Sequence, residues 1–247
     1  MDVYKTALHT IYPPSQTCLD RSCIRNKKKL ALKKTEARQA VLFTMASGAV
    51  PVWSVHLTCE SEFSSNGFTL SYSPLNLFYI DTECKTNYHH NFRVSAGQRT
   101  YYTTISEIIQ VGEHQFVETK VINLWITMML LSWTSATNCA RFYNLAIGGQ
   151  HQRKTPVTWQ FSFAVTSDQV YDGFIILSLL EDCQLRGQIL TVPHGGPAKE
   201  RFKAAVQARN NRMRLYSQPE SRHYCFTCTR FFDGKFIISV TVINSQH

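Results

Sequence analysis

Eight cysteines, at positions 18, 23, 59, 84, 139, 183, 225 and 228, restrict how this chain can be assembled more than any other feature of its sequence. No apolar leader opens the chain, because Asp2, Lys5 and His9 interrupt the first residues, so an intracellular setting is expected. A reducing compartment disfavours structural disulfides. Metal ligation, redox chemistry and plain burial remain as uses for the thiols.

Cys18 and Cys23 have four residues between them, a spacing at which one loop supplies two thiolates to a tetrahedral Zn²⁺. A complete site needs a second pair. Cys59 and Cys84 provide it if most of residues 60–83 are an insert, and that stretch is Ser-, Phe- and Tyr-rich with no sustained helical or strand period. Its removal would join Leu57-Thr58-Cys59 to Cys84-Lys85-Thr86 as a tight knuckle. Val41 to Phe43 and Val50 to Leu57, split by Ser47-Gly48, read as a hairpin running into Cys59, the kind of element on which zinc ribbons carry ligands. Zinc would stabilise such a fold, since a small hairpin buries too little apolar surface alone. The alternative is four unrelated thiols, two of them buried. His56, His89 and His90 flank the cluster as spare donors.

His223-Tyr224-Cys225-Phe226-Thr227-Cys228 is a CxxC that fits half of another zinc site. Only 19 residues follow it, without another cysteine, so its other half is missing or comes from elsewhere. A thioredoxin-type redox pair would need a βαβ pattern before it, and none is present. Cys139 and Cys183 lie in apolar helical text and read as core residues.

From Ser106 onward the texture is helical. Val121, Leu124, Trp125, Met128, Leu131 and Ala136 are spaced for one buried face. The apolar run Val121 to Trp133 is interrupted by Asn123 and is shorter than the roughly 20 residues of a membrane span. A second helix is predicted from Ser167 or Asp168 as N-cap, burying Val170, Phe174, Ile175 and Leu179 and ending near Gly187. A third runs from Pro197 to Leu215 with Phe202, Ala205, Val206 and Met213 on its apolar side. Its other side carries Lys199, Arg201, Lys203, Arg209, Arg212 and Arg214 against Glu200 alone.

The expected fold class is therefore α+β. A small zinc-ribbon-like β region occupies residues 1–105, a mainly helical domain 106–222, and the start of a second, truncated cysteine cluster 223–247. With 26 Lys+Arg against 17 Asp+Glu, the net charge of +9 favours an anionic partner such as DNA. Asp168, Asp172, Glu181 and Asp182 are spaced for an exposed helical face and a cap rather than a two-metal site. No Gly-rich phosphate loop, Ser/His/Asp set or HExxH occurs, so neither catalysis nor a small-molecule substrate is expected.

Several stretches together resemble the cysteine-cluster region associated with KDZ (Kyakuja-Dileera-Zisupton) transposases of fungi. They are Tyr12-Pro13-Pro14 with Cys18 and Cys23, the knuckle from Cys84 to Phe92, Ile109 to Glu118, Leu130 to Asn138, Asp172 to Asp182, Val192 to Gly196, Arg201 to Lys203 and His223 to Cys225. The resemblance implies two cysteine clusters upstream of an RNase H-like catalytic domain that lies outside this sequence. Cys18, Cys23, Cys59 and Cys84 match the first cluster, and Cys225 and Cys228 the opening of the second. The pattern breaks at residues 60–83 and after Gly234, as translated introns or a decayed element would break it. The reading is a non-catalytic, zinc-stabilised nuclear module that binds DNA or plays an architectural role. Its phosphate contacts would come from Lys199, Arg201, Lys203, Arg209 and Arg212. The contrasting reading is a protein-interaction module for self-association, the transposase catalytic domain or a chromatin partner.

Overall fold

The hairpin predicted around Ser47-Gly48 forms, but it becomes the middle of a sheet rather than a ligand-bearing ribbon. The computed structural model describes residues 9–61, 84–148, 159–216, 230–232 and 235–237. Strand β1 (His9–Ile11) is followed by helix α1 (Ile24–Lys27), β2 (Lys33–Lys34) and the hairpin strands β3 (Arg38–Thr44) and β4 (Gly48–Ser54). Next come β5 (Leu57–Ser61), β6 (Cys84–Tyr88), β7 (Phe92–Ser95), β8 (Gln98–Tyr101), β9 (Ile108–Gln110) and β10 (Gln115–Glu118). Helices α2 (Thr119–Ser132) and α3 (Ala136–Phe142) follow, the latter running into a π-helical segment, Tyr143–Gly148. The remaining elements are α4 (Ser167–Leu185), β11 (Thr191–Pro193), α5 (Ala198–Arg201), α6 (Lys203–Tyr216) and the short pair β12 (Arg230–Phe232) and β13 (Lys235–Ile237).

The β3–β4 turn depends on Gly48. Its φ is +66°, and a Cβ there would lie 2.9 Å from the Ile147 carbonyl oxygen, so a side chain would be strained and would clash with backbone. A five-stranded sheet has the order β1-β4-β3-β10-β9, with β1 parallel to β4 and β10 parallel to β3. Residues 40–44 of β3 are all buried, as expected of a strand covered on both faces. Val41 and Phe43 enter the main core with Ile109, Val117, Trp125, Tyr143 and Leu177, while Ala40 and Leu42 pack on the other face with Ile11, Val52 and Phe116. A second, six-stranded antiparallel sheet has the order β11-β8-β7-β6-β5-β2.

The mixed α+β class holds, but the mainly helical domain after Ser106 does not. β9 and β10 complete the first sheet, β11 edges the second, and Phe92, Val94 and Tyr101 share one core with Val170 and Leu177. Pairing between strands far apart in sequence overrode the local helical texture. Cys139 and Cys183 are buried in that core, as expected.

The helix faces also differ in detail. α2 buries Val121, Ile122 and Trp125, whereas Leu131 is 77 % exposed and Leu124 and Met128 are half-buried. The helix stops at Trp133, which takes a left-handed backbone, and Ser135 caps α3 by accepting from the Asn138 amide, so Ala136 belongs to the next helix. The cap of α4 lies one residue before the earlier of the two predicted: Thr166 accepts from the Gln169 amide, and the Gln169 side chain accepts from the Thr166 amide in return. It buries Val170 and Leu179 as predicted, but Ile176, Leu177 and Leu180 replace Phe174 and Ile175. Gly173 rotates that face inward, since a Cβ there would meet the Ile122 side chain at 3.3 Å. The predicted third helix is two pieces, α5 and α6, with Phe202 buried at their junction and Pro197 as an extended cap.

Candidate metal centre

The antiparallel pairing of β5 with β6 builds half of the site. Cys59 faces Thr86 and Ser61 faces Cys84, so Cys59 and Cys84 are diagonal neighbours on one face of the sheet. Along β6 the period of two puts Cys84, Thr86 and Tyr88 inward and Lys85 and Asn87 outward. Glu60 and Ser61 are strand residues paired with Lys85 and Cys84, so the insert is shorter than expected, and its remainder, residues 62–83, lies outside the described residues.

The other half is the loop before β2. Cys23 caps α1, its carbonyl accepting from the amides of Asn26 and Lys27. The Asn26 side-chain amide donates to the Cys18 carbonyl, tying the two cysteines of the loop together. Arg25 straps the loop to its neighbours, Nη1 donating to the Glu60 carbonyl at 3.3 Å and Nη2 to that of Ala31 at 3.0 Å.

These elements bring Cys18, Cys23, Cys59 and Cys84 together with all four sulfurs within 4.8 Å of one another. The Cys18 and Cys84 sulfurs are 3.8 Å apart and those of Cys23 and Cys59 3.6 Å apart. Sulfurs at the corners of a tetrahedron with metal–sulfur bonds of about 2.3 Å are separated by about 3.8 Å, so the observed spacing suits one metal ion. All four residues are buried, which fits a closed structural centre rather than one with an open coordination position. They form the middle of a separate small core with Leu32, Val55, Leu57 and Tyr88.

Polar groups surround the sulfurs. The Tyr88 hydroxyl donates to the Cys18 sulfur at 3.4 Å and accepts from the Leu19 amide at 2.9 Å, and the Thr86 hydroxyl lies 3.5 Å from the Cys84 sulfur. Burial pushes the Cys84 thiol up to about 11 and raises that of Cys59 as well, so without a metal these groups are neutral. Sequence reasoning missed Thr86 and Tyr88 as partners, although their alternation with Cys84 carries the signal. His56 and His89 are not among the clustered ligands, and their rings touch each other at 4.1 Å with a 51° tilt. His90 bonds the Tyr12 carbonyl and the Ser106 hydroxyl, both at 2.9 Å. Cys225 and Cys228 lie outside the described residues.

The basic residues of the C-terminal helices differ in exposure and in pairing. Lys203 is exposed and Arg209 half-buried. Arg212 is held by Asp182, with Nη2 2.6 Å from each carboxylate oxygen, and Arg186 binds the same carboxylate at 2.5 Å. Arg201 donates to the His194 carbonyl at 3.4 Å. The side chain of Lys199 lies outside the described ones. By contrast, Lys27, Lys28, Lys29, Lys33 and Lys34, on and after the cysteine loop, are all exposed. No helix among the described residues is long and apolar enough to cross a membrane.

No curated protein and no solved structure matches the chain. The family described as CxC5-like cysteine cluster associated with KDZ transposases matches residues 6–72 and 66–147, more than half of the chain, and the two matches overlap at residues 66–72, between Cys59 and Cys84. By that match and by the converging sulfurs, the chain belongs to the CxC5-like cysteine clusters associated with KDZ transposases.

Proposed function

We propose that the module is a zinc-stabilised, non-catalytic DNA-binding element of a transposase, acting in the nucleus. The observation that carries this reading is the coincidence of the four-sulfur centre with the lysine run. Cys23 caps the turn from which Lys27, Lys28 and Lys29 project, and β2, carrying Lys33 and Lys34, pairs with the strand that bears Cys59. Zinc suits four thiolates in a closed tetrahedron, and its binding would order a loop of like charges that otherwise repel one another. Such a surface recognises phosphates without reading bases, with Lys203 and Arg214 of α6 as further contacts.

Anisotropy titrations with two unrelated duplexes test this. Affinity should fall steeply with salt and equally for both, and replacing Lys27, Lys28 and Lys29 by Gln should lower the salt slope by about 0.9 for each phosphate no longer neutralised. Absence of binding at low salt would overturn the reading. Self-association has its own supporting observation, because Leu130, Leu131, Trp133 and Leu145 are each at least 70 % exposed. Sedimentation that shows a dimer disrupted by Trp133→Ser would favour that role.

A further inference from the structure

The four sulfurs are held by two unlike supports. Cys59 and Cys84 lie on the paired strands β5 and β6; β6 pairs with β7 and β7 with β8, and Phe92, Val94 and Tyr101 of those last two strands belong to the main core. A hydrogen-bonded ladder anchored in that core holds this half of the site without help from an ion.

The loop half has no such anchor. From Pro14 to Ala31 the buried residues are Cys18 and Cys23 alone, and α1 buries none of its residues. Bonds within the loop lead back to the same two cysteines, since the Cys23 carbonyl accepts from the Asn26 and Lys27 amides and the Asn26 side chain donates to the Cys18 carbonyl. Arg21, Arg25, Lys27, Lys28 and Lys29 stand against Asp20 in this stretch, so closing it gathers like charges. Ordering it also costs backbone entropy at every residue. The Leu19 amide on the Tyr88 hydroxyl and Arg25 on the Glu60 carbonyl cross to the sheet, but bonds that water can replace contribute little net stability.

The sulfur contacts cross in the same direction. Cys18 meets Cys84 at 3.8 Å and Cys23 meets Cys59 at 3.6 Å, so each joins a loop cysteine to a sheet cysteine. One ion bonded to all four would tie the loop down at its only buried residues in that stretch. Four thiolates around a divalent ion also leave an excess of negative charge, which attracts the loop's cations.

We propose that Cys59 and Cys84 form a standing half-site on which the metal lands, and that residues 14–31 are a latch that closes over it only through Cys18 and Cys23. Metal occupancy then switches the surface of Lys27, Lys28 and Lys29 between an ordered and an open form. Loss of the ion opens the cysteine core from the loop side and leaves β5 and β6 paired. The consequence for DNA rests on the lysine run being the phosphate contact, whereas the latch itself does not.

Hydrogen exchange on the full chain, zinc-loaded and after chelation, tests the latch. Chelation should speed exchange in residues 23–32 by at least about tenfold and leave residues 57–61 and 84–88 within a few fold, as expected of local opening. Trypsin should cut after Arg25, Lys27, Lys28 and Lys29 at least about tenfold faster in the chelated protein, because cleavage follows the population of the open form, and zinc should restore resistance. The double variant Cys18→Ser, Cys23→Ser should show the chelated pattern even with zinc present. Loop amides that stay protected after chelation, or strand amides lost together with the loop, overturn the proposal. For the switch, chelation should weaken duplex binding in anisotropy titrations by at least about tenfold, and saturating duplex should raise zinc affinity by the same factor, as reciprocal coupling requires. Duplex affinity unchanged by chelation while the loop opens would overturn the switch. Absence of duplex binding even with zinc would remove the DNA reading, while the exchange pattern still decides the latch.

Discussion

Tyr88 is the side chain through which the metal centre is tied to its surroundings, since its hydroxyl donates to one ligand sulfur while accepting from the backbone of the loop that carries it. Groups that bond a metal's ligands typically contribute a factor of 10–100 in affinity. Tyr88→Phe should therefore retain the fold and weaken metal binding by roughly that factor, measured by competition with a chromogenic chelator; unchanged affinity would show the hydroxyl to be incidental. Protonation of the ligands gives a second prediction. Burial raises the Cys84 thiol to about 11, above the value near 8.5 of an unfolded chain, so the stability of the metal-free fold is fully present below about pH 8.5 and declines as pH climbs toward 11. Metal binding has the opposite dependence, because it requires thiolates. Its affinity should rise between pH 6 and 8 by about tenfold per unit for each proton displaced, and a pH-independent affinity would contradict thiolate ligation. The cysteine positions were legible because the short spacing in one loop and the knuckle sequence are local signals. The partners Thr86 and Tyr88 become visible only when residues 84–88 are taken as a strand with one face inward.

At the scale of elements, the β5–β6 pair makes a direct prediction. Ser61 and Cys84 are opposite one another, so the 22 residues from 62 to 83 connect positions that a tight turn could join. Replacing them by Asn-Gly should preserve the fold and the metal content, and it removes roughly 2 kcal/mol of loop-closure entropy by the logarithmic length dependence. Loss of metal or of cooperative unfolding in that variant would show the segment to be integral. The elements themselves were unevenly legible. α4 was found within a residue or two at each end because its cap is encoded locally, in Thr166 and Gln169. Which face it buries was not, because Gly173 contributes no apolar signal yet sets the close approach to Ile122. The β3–β4 hairpin was legible from Ser47-Gly48, but not its role. The strand partners that remove it from the metal site, β10 and β1, lie far from it in sequence.

For the molecule as a whole, the distribution of apolar side chains separates two kinds of stability. The main core joins helices and both sheets through many large side chains, whereas four of the eight buried residues around the metal centre are the cysteines themselves. That small core has little to hold it without the ion. Structural zinc contributes on the order of 10–16 kcal/mol in small zinc-binding peptides, comparable with the whole stability of an ordinary domain. The most direct measurement is elemental analysis of the purified chain, paired with thermal unfolding before and after chelation. One zinc per chain is expected, reduced to near zero by Cys59→Ser, with chelation unfolding the cysteine core well before the main one. Metal-free protein whose melting is unaffected by chelator would contradict it.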